Sequence, residues 1–363
     1  MGLDKKGYYT LKDILKEKCE YNIILGERAP GKSYAAKKES LEYAFKTGTA
    51  SLALVRRFED DIKNAAMTEY FDDNNLNHGA PGDIKKITGG LYTDVACIRG
   101  ELFFCNKDPE TGKYIQGQKC GRVFALNIDL RYKSRQFPEV HDIIFEEFVT
   151  NQYYLRDEPM RFQQLVSTIL RKREGRVFMI ANTISRVCPY FQDWGLRNIP
   201  KMQPGQIDRY TIDDTEIAVE MSPSRKEKSR MFFGRASKAI QGGQWETDNF
   251  PDLPKRYREY DLLYSLYVEA AGFIFKLDLL IDEEGERIIF CYPFTKSIKE
   301  HIPVITDRFS PDPMVRPFLL RRIPAERAIA DLISLRKICY SSNLTGSDFT
   351  AALRTLKGGL IAR

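Results

Sequence analysis

The chain alternates short, almost wholly apolar runs with longer stretches of mixed character. Tyr21 to Leu25, Ser51 to Val55, Ile143 to Phe145 and Val177 to Ala181 are too short for globular helices and too apolar for strands with one wet face, so they predict buried strands. Between them, Lys32 to Phe45 and Met160 to Leu170 read as helices. Strands and helices in this order predict an α/β fold with a parallel sheet. Glu101 to Cys105 and Arg122 to Ala125 flank the turn Asp108-Pro109-Glu110-Thr111-Gly112-Lys113, the pattern of a β-hairpin. Asn198-Ile199-Pro200-Lys201-Met202-Gln203-Pro204-Gly205 carries boundary signals, and the texture then changes. Leu262 to Glu269, Gly272 to Asp282 and Arg287 to Phe294 are strand-like, and Ala325 to Ile338 and Asp348 to Leu356 are helical, an α+β arrangement. The expected division is residues 1–203, a linker subdomain over 204–250, and a last domain over 251–363.

The turn after the first strand is chemically specific. Gly26-Glu27-Arg28-Ala29-Pro30-Gly31-Lys32-Ser33 is a complete G-x-x-x-x-G-K-S phosphate-binding loop, followed by Tyr34 and a helix whose N-terminal N–H groups and dipole favour phosphate. All nine residues, Gly26 to Tyr34, are candidate contacts to ATP. Lys32 is expected to reach the β- and γ-phosphates, and Ser33 to place its hydroxyl on Mg2+.

A second motif separates hydrolysis from mere binding. His141-Asp142-Ile143-Ile144-Phe145-Glu146-Glu147-Phe148 reads as a strand ending in two adjacent acids whose side chains alternate faces. Glu146 is assigned to magnesium through water, one methylene longer than the usual aspartate, and Glu147 is assigned as the general base. Arg176 to Thr183 reads as a further strand that offers the Asn182 amide to the γ-phosphate or its water. Arg171, at the end of the preceding helix, occupies a position from which ring ATPases offer an arginine to a neighbouring subunit. Arg28 within the loop and Lys133 before the acidic strand are additional candidate cations. Arg56 and Arg57 follow the run Ser51 to Val55 and are expected to meet DNA or a neighbouring subunit, or to pair with Glu59, Asp60 and Asp61.

Composition narrows the class. At 363 residues and 43% hydrophobic, the chain can build two ordinary cores, and no stretch approaches the ~20 apolar residues of a membrane span. The start, Met1-Gly2-Leu3-Asp4-Lys5-Lys6, lacks the apolar core of a signal peptide, which predicts a cytoplasmic protein. Seven cysteines form no C-x-x-C pair and meet only three histidines, a composition of reduced thiols rather than structural zinc. From Pro317 onward, eight basic residues face three acidic ones, which places most of the formal charge of +6 at the end of the chain. Arg225, Lys226, Lys228, Arg230, Arg235 and Lys238 make a second basic stretch. Both suit a polyanion.

The phosphate loop with Asn22 to Leu25 before it, the strand Ile143 to Phe148, Arg171 to Glu174, Asn182, Cys188-Pro189-Tyr190-Phe191 and Phe233-Gly234-Arg235 together resemble the genome-packaging (encapsidation) ATPases of phi29-like bacteriophages, relatives of the large terminases. The resemblance implies a P-loop ATPase domain whose parallel sheet includes a catalytic-glutamate strand, then a linker subdomain and an RNase H-like vestigial nuclease domain. It implies ATP and Mg2+ as cofactors and a ring, typically a pentamer, that pumps double-stranded DNA through the portal of an empty capsid in the host-cell cytoplasm. A structural prohead RNA is a further implied partner. Arg171 and Lys133 would act across the subunit boundary, and Arg28 would match the arginine common within terminase loops. The run Leu263 to Val268 has no central acid, so nuclease activity is not expected. Other readings of the same residues are a nucleic-acid-dependent helicase or recombination motor, and a nucleotide-switched binding protein.

Overall fold

The computed structural model describes residues 2–5, 7–28, 31–71, 82–151, 154–224, 231, 237, 245, 248–298 and 301–356. Contacts divide the chain into two units, Met1–Thr183 with Leu196–Gln244, and Ile184–Gly195 with Trp245–Arg363.

The first unit is built on a sheet of nine strands: β1 (Tyr21–Leu25), β2 (Leu52–Arg56), β3 (Asp94–Ile98), β4 (Glu101–Lys107), β5 (Tyr114–Ala125), β6 (Asp142–Glu146), β7 (Arg176–Ile180), β8 (Ile207–Ile212) and β9 (Thr215–Met221), in the order β3-β4-β5-β2-β6-β7-β1-β9-β8. From β5 to β9 every neighbouring pair is parallel, and the antiparallel β4-β3 and β8 close the two edges. Parallel pairing requires long crossovers, and α1 (Lys32–Thr47), α2 (Asn64–Phe71), α3 (Asp83–Ile87) and α4 (Glu158–Leu170) lie in them. The predicted apolar runs are the buried centre of this sheet: Ile23, Leu54, Ile144 and Phe178 are all fully inaccessible. The hairpin expected after Glu101 is present, with Asp108 N–H donating to Lys113 O at 2.8 Å across its turn. It is no appendage, because β5 continues into the sheet beside β2, pairing Leu54 with Val123.

The segment expected as a linker over 204–250 begins differently. β9 pairs in parallel with β1, Ile23 opposite Val219, and β8 covers its outer edge. The proline and glycine near residue 204 therefore mark a turn within the sheet rather than its end. The six basic residues between Arg225 and Lys238, and Phe233-Gly234-Arg235, lie outside the described residues.

The second unit contains α5 (Pro189–Asp193), β10 (Asp261–Ala270), β11 (Phe273–Ile281), β12 (Arg287–Pro293), β13 (Val304–Ile305), β14 (Val315–Arg316), α6 (Pro324–Ser334), β15 (Ile338–Tyr340) and α7 (Asn343–Leu353). Its sheet runs β14-β13-β10-β11-β12-β15, an antiparallel meander of β10, β11 and β12 extended by parallel β13 and β14 on one side and parallel β15 on the other. Leu266, Val268, Phe275 and Leu277 from the strands pack with Ile329 and Phe349 from the helices. The first predicted helix is shorter than expected. It stops at Ser334 because Arg336 turns the chain at a φ of 57°, and Ile338 to Tyr340 then joins β12 as a strand. The second begins earlier, where the Ser342 hydroxyl accepts the Thr345 N–H at 3.1 Å as an N-cap. All seven cysteines are buried thiols. Among the described residues no helix is long and apolar enough to cross a membrane.

Candidate nucleotide site

The candidate residues of the loop and of the strand ends meet because β1, β6 and β7 are neighbours in one parallel sheet, so their carboxyl ends open on one side. Gly26 leaves β1 at a φ of +144°, and an added Cβ would stand 2.0 Å from the Ser222 hydroxyl oxygen on the chain following β9. Only glycine fits that approach. The adjoining backbone is fixed from both sides: Thr183 N–H donates to Gly26 O at 3.1 Å, and Ser222 N–H donates to Leu25 O at 2.7 Å.

Lys32 starts α1 and is only 4% exposed. Its ammonium donates to the Glu27 carbonyl and, at 3.2 Å, to Asn182 Oδ1. Burial lowers its pKa to about 7, against the opposing pull of Glu27 and Glu146. An anion seated here would add its charge to the pull of Glu27 and Glu146 on the buried amine. Gly31, Ser33 and Tyr34 line the same open cleft, while Ala29 and Pro30 lie outside the described residues. Arg28 is exposed at the rim.

The two acids stand beside each other by a route other than strand alternation. β6 ends at Glu146, and Glu147 adopts a left-handed φ of 57° with its N–H donating to Ile180 O at 2.8 Å. The turn separates their environments: the Glu146 side chain is 5% exposed and that of Glu147 is 74% exposed. Glu146 is buried facing the Tyr70 hydroxyl, and its Oε1 makes no close hydrogen bond, so it is placed to accept from a metal-bound water. The donor set therefore fits a hydrated divalent cation held with Ser33.

Of the acids expected to pair with Arg56 and Arg57, Asp61 adds to the field on Arg56, but the main partners are others. Arg56, at the end of β2 beside β6, lies 3.4 Å from Glu146 and 3.1 Å from Glu147, with its guanidinium 5.1 Å from the Tyr70 ring centre. Arg57 is buried and binds Glu158 through two contacts of 2.9 and 3.0 Å, and donates to the carbonyls of Glu147 and Phe148. Lys37 is a further residue missed in sequence. It is buried on α1, donates to Tyr70 O at 2.8 Å, and has a pKa lowered to about 8 by burial and by Arg56, against Glu146.

Arg171 and Lys133 do not line this cleft. Both are exposed, Arg171 with a φ of 56° and its guanidinium donating to Arg135 O at 3.3 Å. Lys133 lies two residues before that carbonyl, so the two cations sit on adjoining surface segments of one chain.

Residues 104–275 match the family model described as the podovirus DNA encapsidation protein (Gp16). The chain is 27% identical over 255 residues to the DNA packaging proteins of Bacillus phages phi29 and PZA, covering 68% of this chain and 67% of each relative. It is 28% identical over 235 residues to the DNA packaging protein of Bacillus phage B103, covering 63% of both chains. A solved structure of the bacteriophage phi29 viral genome packaging motor assembly contains a chain with the same fold, at a TM-score of 0.54 and 19% identity, covering 97% of this chain and all of that one. The resemblance drawn from the motifs thus extends over about two thirds of the chain, which is similar to the DNA packaging proteins of Bacillus phages phi29, PZA and B103.

Proposed function

We propose that this protein is the ATPase of a viral genome-packaging motor, which couples ATP hydrolysis to the movement of double-stranded DNA through the portal into a preformed capsid. The observation that carries the reading is the convergence of Lys32, Asn182, Glu146 and Glu147 on one cleft, in a chain similar to phage DNA packaging proteins.

Lys32 and the N–H groups of the loop and α1 bind the phosphates of ATP, and burial makes each contact stronger than it would be in water. Mg2+ supplies charge neutralisation on the phosphates, held by Ser33 and, through water, by Glu146. Glu147, exposed at the cleft, takes the proton of the attacking water, and Asn182 orients the γ-phosphate or that water. Arg171 and Lys133 face outward and serve the cleft of a neighbouring copy in a ring, a pentamer on the capsid. Arg28 steadies the phosphates from the loop.

The second unit is read as an RNase H-like domain without nuclease activity. Its strand order β12-β11-β10-β13-β14, a meander followed by two parallel additions, supports the fold. The middle of β10 carries Ser265 and Tyr267 rather than an acid, and the buried acid opposite Ser265, Asp278 of β11, is taken up by Ser265, Tyr257, Tyr292 and Lys276. The excess positive charge after Pro317 suits DNA or a structural prohead RNA at the portal. The motor works in the host-cell cytoplasm, at the portal of the empty capsid.

The test is steady-state ATP hydrolysis by the wild type and by Glu147→Gln, with and without long double-stranded DNA at low salt. DNA-stimulated hydrolysis lost in Glu147→Gln supports the motor, and hydrolysis indifferent to that change refutes the assignment of the base. In the assembled ring, Arg171→Ala should bind nucleotide normally and hydrolyse little.

A further inference from the structure

We infer that the segment Ile184–Gly195 is a relay that carries the nucleotide state of the first unit into the core of the second, with Arg186 and Asp348 as its positioning residues; the inference rests on the nucleotide reading of the cleft.

The chain leaves the candidate site directly. Asn182 accepts from the Lys32 ammonium at 3.2 Å, and Thr183 N–H is bonded to the first glycine of the loop. The next residue, Ile184, already belongs to the second unit, and the chain returns to the first only at Leu196, which is fully buried. What lies between is an integral part of the second unit. The Arg186 guanidinium grips the Asp348 carboxylate with both Nε, at 3.3 Å, and Nη2, and stands 5.6 Å from the Phe273 ring centre. Val187 is buried in the core formed by Leu266, Phe275 and Phe349. Phe191 of α5 meets the Trp245 ring edge-on at 6.5 Å.

Only Thr183, Ile184 and Ser185 separate Asn182 from Arg186, at most about 14 Å of extended chain, so little slack can absorb a displacement. Loss of the γ-phosphate removes the charge that Lys32 and Asn182 would share and returns the two groups to each other, the 3.2 Å contact seen here. Densely packed side chains respond to such a shift by moving as a body rather than by deforming. The Arg186–Asp348 clamp fixes the relay to α7, so the movement reaches that helix. Asp348 is buried within its first turns, where a carboxylate without its arginine would reorganise its surroundings.

Hydrogen–deuterium exchange of the full chain, with and without saturating Mg2+ and ATPγS, tests the relay. In the wild type, nucleotide should slow exchange in the loop 26–33, in residues 184–187 and in residues 343–353. In Arg186→Met the first response should persist with unchanged nucleotide affinity, while the nucleotide-dependent shift in residues 343–353 is lost. Asp348→Asn, which keeps a hydrogen-bond acceptor, should retain part of it. A shift in residues 343–353 of equal size in wild type and Arg186→Met would overturn the relay, as would a wild-type response confined to the loop. No response in the loop itself would overturn the nucleotide reading and the relay together.

Discussion

Arg56 and Glu147 are joined at 3.1 Å across the mouth of the cleft, so the exposed glutamate assigned as the base is held by an arginine from the adjoining strand. The same guanidinium faces the buried Glu146 at 3.4 Å. Removing it leaves the buried Glu146 carboxylate with only the Lys32 and Lys37 ammoniums as counter-charges, a change that should cost about 1–3 kcal/mol, less than the loss of a sole partner. Arg56→Met should lower stability by that order in urea unfolding. In hydrolysis assays it should lower turnover more than apparent nucleotide affinity, because Glu147 loses its tether. Unchanged stability would show that Lys32 and Lys37 alone suffice to balance Glu146.

Arg57 is a structural residue on this geometry. Its two-point contact with Glu158 is buried, and its remaining donors fix the carbonyls of Glu147 and Phe148. Arg57→Ala should cost about 3–5 kcal/mol, and Arg57→Lys should recover only part, since an ammonium cannot reproduce the planar fork. A loss below about 1 kcal/mol would place the pair among surface ion pairs.

Gly26→Ala should abolish nucleotide binding or folding of the first unit. The new methyl group would collide with Ser222, and a φ of +144° is unfavourable for any residue with a side chain. Ser222→Gly in the same chain should relieve the collision and leave the backbone strain. Differential scanning fluorimetry with and without ATPγS separates the two effects.

Glu220 gives the first unit a pH dependence. It is buried on β9, accepts from the Tyr9 hydroxyl at 2.5 Å, and its pKa is raised by burial to about 7 from 4.5. The folded state therefore binds the extra proton between those values, so stability falls as pH rises through that window and stays lost above it. Glu220→Gln should leave the melting temperature unchanged near pH 4.5 and raise it by a few degrees at pH 8, at roughly 2–4 °C per kcal/mol. An equal difference at both pH values would refute the assignment.

The strands and the loop were legible because their signals are local. Tyr21 to Leu25 and Arg176 to Ile180 are apolar runs, and Gly26 to Ser33 is a motif whose spacing carries its own geometry. Arg56, Lys37 and Tyr70 were not legible as members of the site, because each enters it through a neighbouring element whose place depends on strand order. The same holds for β9. Its segment reads in sequence as part of a linker after a boundary, and only its pairing with β1 makes it part of the first sheet. Ile338 to Tyr340 continued a helical pattern until the left-handed turn at Arg336 redirected it, and such turns at non-glycine residues leave little trace in composition.

The threading of the chain also determines where it can be cut. A fragment ending at residue 203 would lack β9, exposing the edge of β1 just where the phosphate loop begins. A fragment starting at residue 251 would carry Asp348 without Arg186, and a hydrophobic core without Val187. Neither half is contiguous in the gene, so each should be unstable when expressed alone from such a cut, and a functional dissection must add residues 204–221 to the first piece and supply 184–195 to the second.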